Sequence, residues 1–516
     1  MKRILALFTL VLYLTLSVNE VGCWKSRTAA APPPSTEANP LPPSQVYANA
    51  IDGYQIEVPD KWQLDASRAG TLVRLTANDR RGVIDIFAQP LKNISADEYL
   101  KYSNLHITGQ EQGIEILARS QEPVNDQEAC QITWQRPKIS ARANDLNLYR
   151  EVDLIYPGTV YTLVLKTDAE HLWLSGAAMD SIVRSFQPRP AVKPEAKQAP
   201  PAAPGDIRLA GQTMNLTIPA DRLLFGIFNQ TYFLPEGSGP FIKYEESLDY
   251  KFQFLMTYMD FWQEFPQELV DRAYSEGRIV MLTWHPKMNP ELDQNSVLIP
   301  GIVNGDYDAY LRDCVRRMKA IGEPVFLRFG NEMNGNYTLW CDWFYSKDAD
   351  LYIEAYRHIY RIAQQEGADN VIFVWNPHDR SYPDFRWNSP ELYYPGSEFV
   401  DWVGLTGYNG GTSYPNDSWR SFNYIYRSLY NEYLLKYPGK PFMITEFACN
   451  ETGGDKKAWI NECLSSLKNY PNIRIAVWFD LAVDQWLYPI DSTPGSKEAF
   501  KQGLQDPYYL RNALAR

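Results

Sequence analysis

The chain has 516 residues, 45% hydrophobic and 22% charged, which is the composition of a soluble protein with real cores and too much length for one ordinary domain. A net charge of -12 and a pI near 5.1 argue against nucleic acid and anionic membrane as binding surfaces, because both would repel it. A neutral substrate is compatible with that charge, and 15 Trp and 34 Tyr supply flat rings with polar edges that can stack on sugars.

At the N-terminus, Met1-Lys2-Arg3 precede an apolar run from Ile4 to Val18, shorter than the ~20 residues a spanning helix needs. Residues 1–23 are therefore read as a signal peptide, cleaved after Gly22, with an uncleaved anchor as the alternative. Val21-Gly22-Cys23 also resembles the end of a bacterial lipobox, with Glu20 where that motif has Leu. The expectation is export to the extracellular space or cell surface, either released or lipid-anchored at Cys23, with membrane contact through the N-terminus alone.

Residues 24–44 and 188–204 are Pro-rich and extended, and serve as linkers. The second predicts that everything after it folds and works without residues 1–203. Residues 45–187 read as a small α/β domain. Strands are expected at Tyr54–Val58, Leu72–Leu75, Val83–Phe87, Ile132–Trp134, Leu148–Tyr156 and Val160–Lys166, the last two joined through Pro157-Gly158. Helices are expected at Ala96–Ser103 and Leu172–Ser185. The opening YQIEVPDKW and closing AAMDSIVRSF resemble the α/β sandwich of Mog1/PsbP-like exported domains, which implies a spacer, a binding module or a purely structural unit.

Residues 205–516 change pattern. Eight short apolar runs, Leu223–Phe228, Phe254–Met259, Ile279–Trp284, Val325–Phe329, Val371–Trp375, Phe399–Leu405, Phe442–Thr445 and Ile473–Phe479, alternate with helix-like stretches. One such stretch has Asp306 as its expected cap, apolar positions Tyr310, Cys314, Val315 and Met318, and Gly322 at its end. Eight βα units in about 300 residues predict a (β/α)8 barrel, whose catalytic residues belong at the C-terminal strand ends. Cys130, Cys314, Cys341, Cys449 and Cys463 form no CxxC pair and no ligand-like spacing with the histidines, so no structural zinc is expected. Their odd number leaves at least one thiol without an intramolecular partner.

Two strand ends carry a carboxylate: Glu332 after the fourth run, in PVFLRFGNEMNGNYTLW, and Glu446 at the end of the seventh, in KPFMITEFACNETGGDKKAW. A lone Glu at a strand end is ordinarily half of a salt bridge. A pair at two such ends is what glycosidic hydrolysis needs, one group to protonate the leaving oxygen and one to attack or to activate water from the other face.

On these residues the barrel resembles glycoside hydrolase family 26, the β-mannanase family. RFGNEMNG is similar to that family's R-x-x-H-E-M-N-G, VDWVGLTGYN to its strand-six motif, PFMITEFACNETGGDKKAWI to its strand-seven motif and IAVWFD to its last strand. The resemblance implies Glu332 as acid/base and Glu446 as nucleophile, with Arg328 and Tyr408 supporting the ionised Glu446. Asn331 stands where the family has His and can still reach the sugar 2-hydroxyl. Thr406 replaces the family's strand-six Asp, which removes a charge near the donor subsites. Trp478 is placed either to stack under the sugar at the cleavage point or to fill the barrel core. Tyr337 is a second stacking candidate, and Trp284 and His285 either bind the donor sugar or are buried and satisfied. The implied function is a retaining, endo-acting β-glycanase needing no metal or cofactor, with β-1,4-mannan as leading substrate and mixed-linkage β-glucan or β-xylan as alternative. The reading from another class is a surface carbohydrate-binding protein without catalysis.

Overall fold

The computed structural model describes residues 45–70, 72–192, 205–234, 237–288, 297–415, 417–511 and 514–515. The apolar N-terminal run, Cys23, the first linker and most of the second lie outside them. Among the described residues no helix is long and apolar enough to cross a membrane.

Eight parallel strands close into a barrel: β1 (Leu224–Phe228), β2 (Phe254–Asp260), β3 (Ile279–His285), β4 (Val325–Phe329), β5 (Val371–Trp375), β6 (Trp402–Thr406), β7 (Phe442–Phe447) and β8 (Ile473–Phe479), with β8 pairing back to β1. Each of the eight expected runs contains a strand, the sixth starting at Trp402 rather than Phe399. They are apolar nearly throughout because both faces are covered, the inner by side chains filling the barrel and the outer by helices. The helix between β3 and β4 spans Asp308–Ile321 and ends at Gly322, whose φ of 71° suits glycine. Its first turn is preceded by Tyr307, so Asp306 is not the cap; Asp306 accepts a bond from Asn304 instead. A hairpin of Ile207–Ala210 and Asn215–Ile218 covers the N-terminal strand ends, where Arg474 at the start of β8 donates to the Ile218 carbonyl.

The earlier part of the chain builds a seven-stranded antiparallel sheet, in the order Trp62–Ala69, Leu72–Ala77, Gly82–Pro90, Thr159–Thr167, Leu148–Tyr156, Ala129–Gln135, Glu115–Ser120. One face, with Leu75, Ile84, Ile86, Leu163 and Leu165, packs on Met179, Ile182 and Val183 of the helix Leu172–Ser185. The other face packs on the barrel. Phe87, Trp134, Tyr149 and Val164 share one continuous apolar cluster with barrel residues. Charged groups on the same face are matched across the boundary: Lys166 donates to Asp348 (2.7 Å) and Asp350 (3.0 Å), and Lys347 to Glu151 and Asn104 (2.8 Å for the latter). Lys347 and Glu151 side chains are 2% and 1% exposed. The two units are therefore docked as well as linked, and a barrel cut free of residues 1–203 would expose this face. A Pro-rich linker says that two units are joined by extended chain, and says nothing about whether their surfaces dock.

Candidate active site

The site is built around β4 and β7. Arg328, fully buried on β4, spends its guanidinium on fixed partners: Nε donates to Thr283 Oγ1 (2.9 Å), Nη1 to Asn376 Oδ1 (3.0 Å) and Nη2 to Glu446 Oε1. Tyr408, just beyond β6, donates its hydroxyl to the other Glu446 oxygen. Both carboxylate oxygens are therefore held by donors, one of them cationic, which fixes the direction of the carboxylate. The same guanidinium is isolated from water, which is affordable only because its donors are matched.

Thr445 and Glu446 are neighbours in sequence, yet both side chains point to the barrel interior, Thr445 Oγ1 donating to Asn376 Oδ1 (2.8 Å). In a regular strand they would face opposite ways. The pairing of β7 is irregular between Ile444 and Phe447, and that bulge turns the carboxylate inward. Thr406 joins the same network, donating to Asn376 Oδ1 (3.0 Å) and lying fully buried beneath the nucleophile. Its hydroxyl is spent within this network, so the replacement bears on the floor under Glu446.

Glu332 follows β4 through Gly330, and both residues are left-handed, with φ of 50° at Gly330 and 55° at Glu332. The turn is pinned by Glu332 N–H donating to the Asn376 carbonyl (2.7 Å) and by Tyr352 donating to the Gly330 carbonyl (3.0 Å). The enclosing cleft pushes the Glu332 carboxyl above the usual carboxylate range. The charge of Glu446 adds to this, while His378, Arg328 and the Tyr337 hydroxyl, which donates to Glu332 Oε2 (3.0 Å), pull the other way. A carboxyl raised in this way holds a proton it can deliver.

Beside Glu332, Asn331 is set by a relay. Its side-chain oxygen meets His285 Nε2 (3.1 Å), and His285 Nδ1 meets Asp260 Oδ1 (3.2 Å). Trp340 lies against the His285 ring at 4.9 Å and donates its indole N–H to the Asn331 carbonyl. The Asp260 carboxyl is drawn below its ordinary range by the His285 bond and charge, which outweigh its burial.

Two predicted residues are elsewhere. Trp478 is fully buried, donates to the Tyr488 carbonyl (3.0 Å) and packs against Phe500 and Trp459 on the outer helices. Phe479, the next residue, faces the mouth instead and meets the Tyr408 ring edge-on at 5.8 Å. Trp284 likewise points outward, against Tyr310 of the helix Asp308–Ile321 and Phe261. The structure therefore brings together Glu332, Glu446, Arg328, Asn331, Tyr408, His285 and Tyr337, and leaves Trp284 and Trp478 in the layer between strands and helices.

The sequence model of glycosyl hydrolase family 26 matches residues 272–433. Endoglucanase H of Acetivibrio thermocellus is 33% identical over 262 residues, which is 50% of this chain and 27% of that protein. A mannan endo-1,4-β-mannosidase of Bacillus subtilis is 34% identical over 122 residues, 22% of this chain and 32% of that protein. The part of the barrel that carries this match runs from the helix before β3 to the helix after β6. Among solved structures, a family 26 β-mannanase of Bacteroides ovatus aligns at 17% identity over 56% of this chain and 90% of that one, with a TM-score of 0.43. The chain spans about a quarter to a third of the length of the curated relatives named above.

Within the barrel, sequence reading missed Asp260, Asn376, His378 and Trp340. Asp260 had a signal, since it ends β2 at the face where catalytic groups collect. Asn376 had the same signal after β5. His378 and Trp340 come from loops whose paths are set by tertiary contacts.

Proposed function

We propose that the protein is a retaining, endo-acting β-glycanase. The supporting observation is the opposite treatment of two carboxylates at two strand ends: Glu446 clamped between a guanidinium and a phenol, Glu332 shielded and raised. In the first step Glu446 attacks the anomeric carbon, the bond to the bridging oxygen breaks, and Glu332 delivers its proton to that oxygen. In the second, Glu332 takes a proton from water, which attacks the same carbon and expels Glu446, so the configuration is retained after two inversions.

The leading substrate is β-1,4-mannan, in keeping with the family and with relatives named as mannan endo-1,4-β-mannosidases. Mixed-linkage β-glucan is the second reading, favoured by the Asn331-Glu332 pair and by the relative named endoglucanase. With Thr406 buried in the floor, discrimination at the sugar 2-hydroxyl falls to Asn331 and its partner His285. Export through the N-terminal apolar run, with or without lipid on Cys23, places the enzyme where polysaccharide is met. The test is hydrolysis of mannan, glucomannan, lichenan and xylan by the purified chain, with product sizes and the anomer first released read by NMR. An α-anomer from a β-glycan would overturn retention, and no reducing sugar from any polymer would favour a binding protein without catalysis.

A further inference from the structure

The sheet domain reaches the cleft. Its helix Ala96–Ser103 starts with a reciprocal cap between Ser95 and Glu98, and turns Tyr99 and Tyr102 toward the barrel. Tyr99 is buried, edge-on to Phe385 at 4.8 Å. Tyr102, nearly one turn further, leans on Trp343 (4.8 Å) and Phe385 (5.9 Å), and its hydroxyl accepts a bond from Asn336 Nδ2 (3.2 Å). Asn336 is adjacent in the chain to Tyr337, which donates to Glu332. Tyr337 in turn lies 6.4 Å from Tyr382 on the loop after β5. These three tyrosines come from three separate segments, and each is exposed: 37% for Tyr102, 47% for Tyr337 and 40% for Tyr382.

Their position relative to the two carboxylates gives them a side. Glu332 protonates the oxygen that departs with the leaving sugars, whereas Tyr408 touches Glu446. Rings that border Glu332 on the β4 and β5 loops therefore lie along the departing chain. Exposed flat rings with polar edges beside a cleft are suited to sugar faces.

We propose that the sheet domain is part of the substrate site, with Tyr102 extending a leaving-group-side platform begun by Tyr337 and Tyr382. This rests on the β-glycanase reading above. A long substrate contacts Tyr102; a substrate whose leaving group is a single aryl ring ends before it.

The test compares the full chain with Tyr102→Ala and Tyr102→Phe on glucomannan and on a 4-nitrophenyl β-glycoside of the disaccharide released from it. Retardation of each protein in gels containing glucomannan is read in parallel. Tyr102→Ala should lower kcat/KM on the polymer about tenfold, as expected for one lost stacking contact with its buried area. The aryl glycoside should be hydrolysed as before, and Tyr102→Phe should retain polymer activity. Equal losses on both substrates would show that Tyr102 only braces the Glu332 loop, and no loss on either would show that sugars do not reach it; both overturn the proposal. If the unaltered chain hydrolyses nothing, the gel decides: Tyr102-dependent retardation keeps the platform and removes the hydrolase reading, while no retardation removes both.

Discussion

Lys347 and Glu151 form a pair across the boundary between sheet domain and barrel, and Glu151→Ala strips the acid from that pair while leaving the ammonium in place. Lys347 would retain Asn104 Oδ1 at 2.8 Å and Ser103 Oγ at 3.2 Å, both neutral. Breaking a buried pair from one side costs ~3–5 kcal/mol, and 3 kcal/mol is already about a hundredfold change in the folding constant. Replacing both partners, as in Glu151→Leu with Lys347→Met, should recover most of the loss, because an apolar pair carries no uncompensated charge. The assay is urea unfolding followed through tryptophan fluorescence, in which Trp375 and Trp402 report on the barrel. The barrel transition should move to lower urea in the single variant and return in the double. A shift confined to a separate transition of the sheet domain, with the barrel unmoved, would refute the docked arrangement.

The two glutamates should fail differently. Glu446→Ala should abolish hydrolysis of every substrate, because no covalent intermediate can form. Glu332→Ala should lose ~10²–10⁴-fold on polymer, yet still react with an aryl glycoside and yield a β-glycosyl azide when azide is added, checked by chromatography and NMR. The raised carboxyl of Glu332 keeps its proton to higher pH than an ordinary Glu, so the alkaline limb of kcat/KM should belong to it. Glu332→Gln, assayed across pH on an aryl glycoside, should flatten that limb, and an unchanged limb would assign it elsewhere. Asn331→Ala should lower kcat more than it raises KM, since a bond to the 2-hydroxyl strengthens as the oxocarbenium-like transition state forms; an unchanged kcat would leave Asn331 a structural role.

The barrel was legible because parallel central strands are continuous apolar runs separated by helices. That same continuity hid which way each residue faces. In LTWH and AVWF no polar residue marks the outer side, so Trp284 and Trp478 read as cleft residues, although strand parity turns them into the helix layer and presents His285 and Phe479 instead. Glu446 was found by motif, but the bulge that aims it leaves no mark in composition. In the sheet domain the expected strands appeared, whereas Trp62–Ala69 and Glu115–Ser120 were missed, as edge strands that alternate with polar and charged residues. The docking face was missed for a related reason. Nothing in the sequence marks Asp85, Glu151 or Lys166 for burial, and only the tertiary arrangement supplies the opposite charges that bury them.

The left-handed backbone at Glu332 sets stability and chemistry against each other at one codon. Any L-residue there bears ~1–2 kcal/mol of local strain that glycine would relieve, so drift toward robustness favours discarding the proton donor. On the β-glycanase reading, a lineage released from selection for turnover would have a short, energetically downhill route to a non-hydrolysing descendant with the exposed rings of Tyr102, Tyr337 and Tyr382 unchanged.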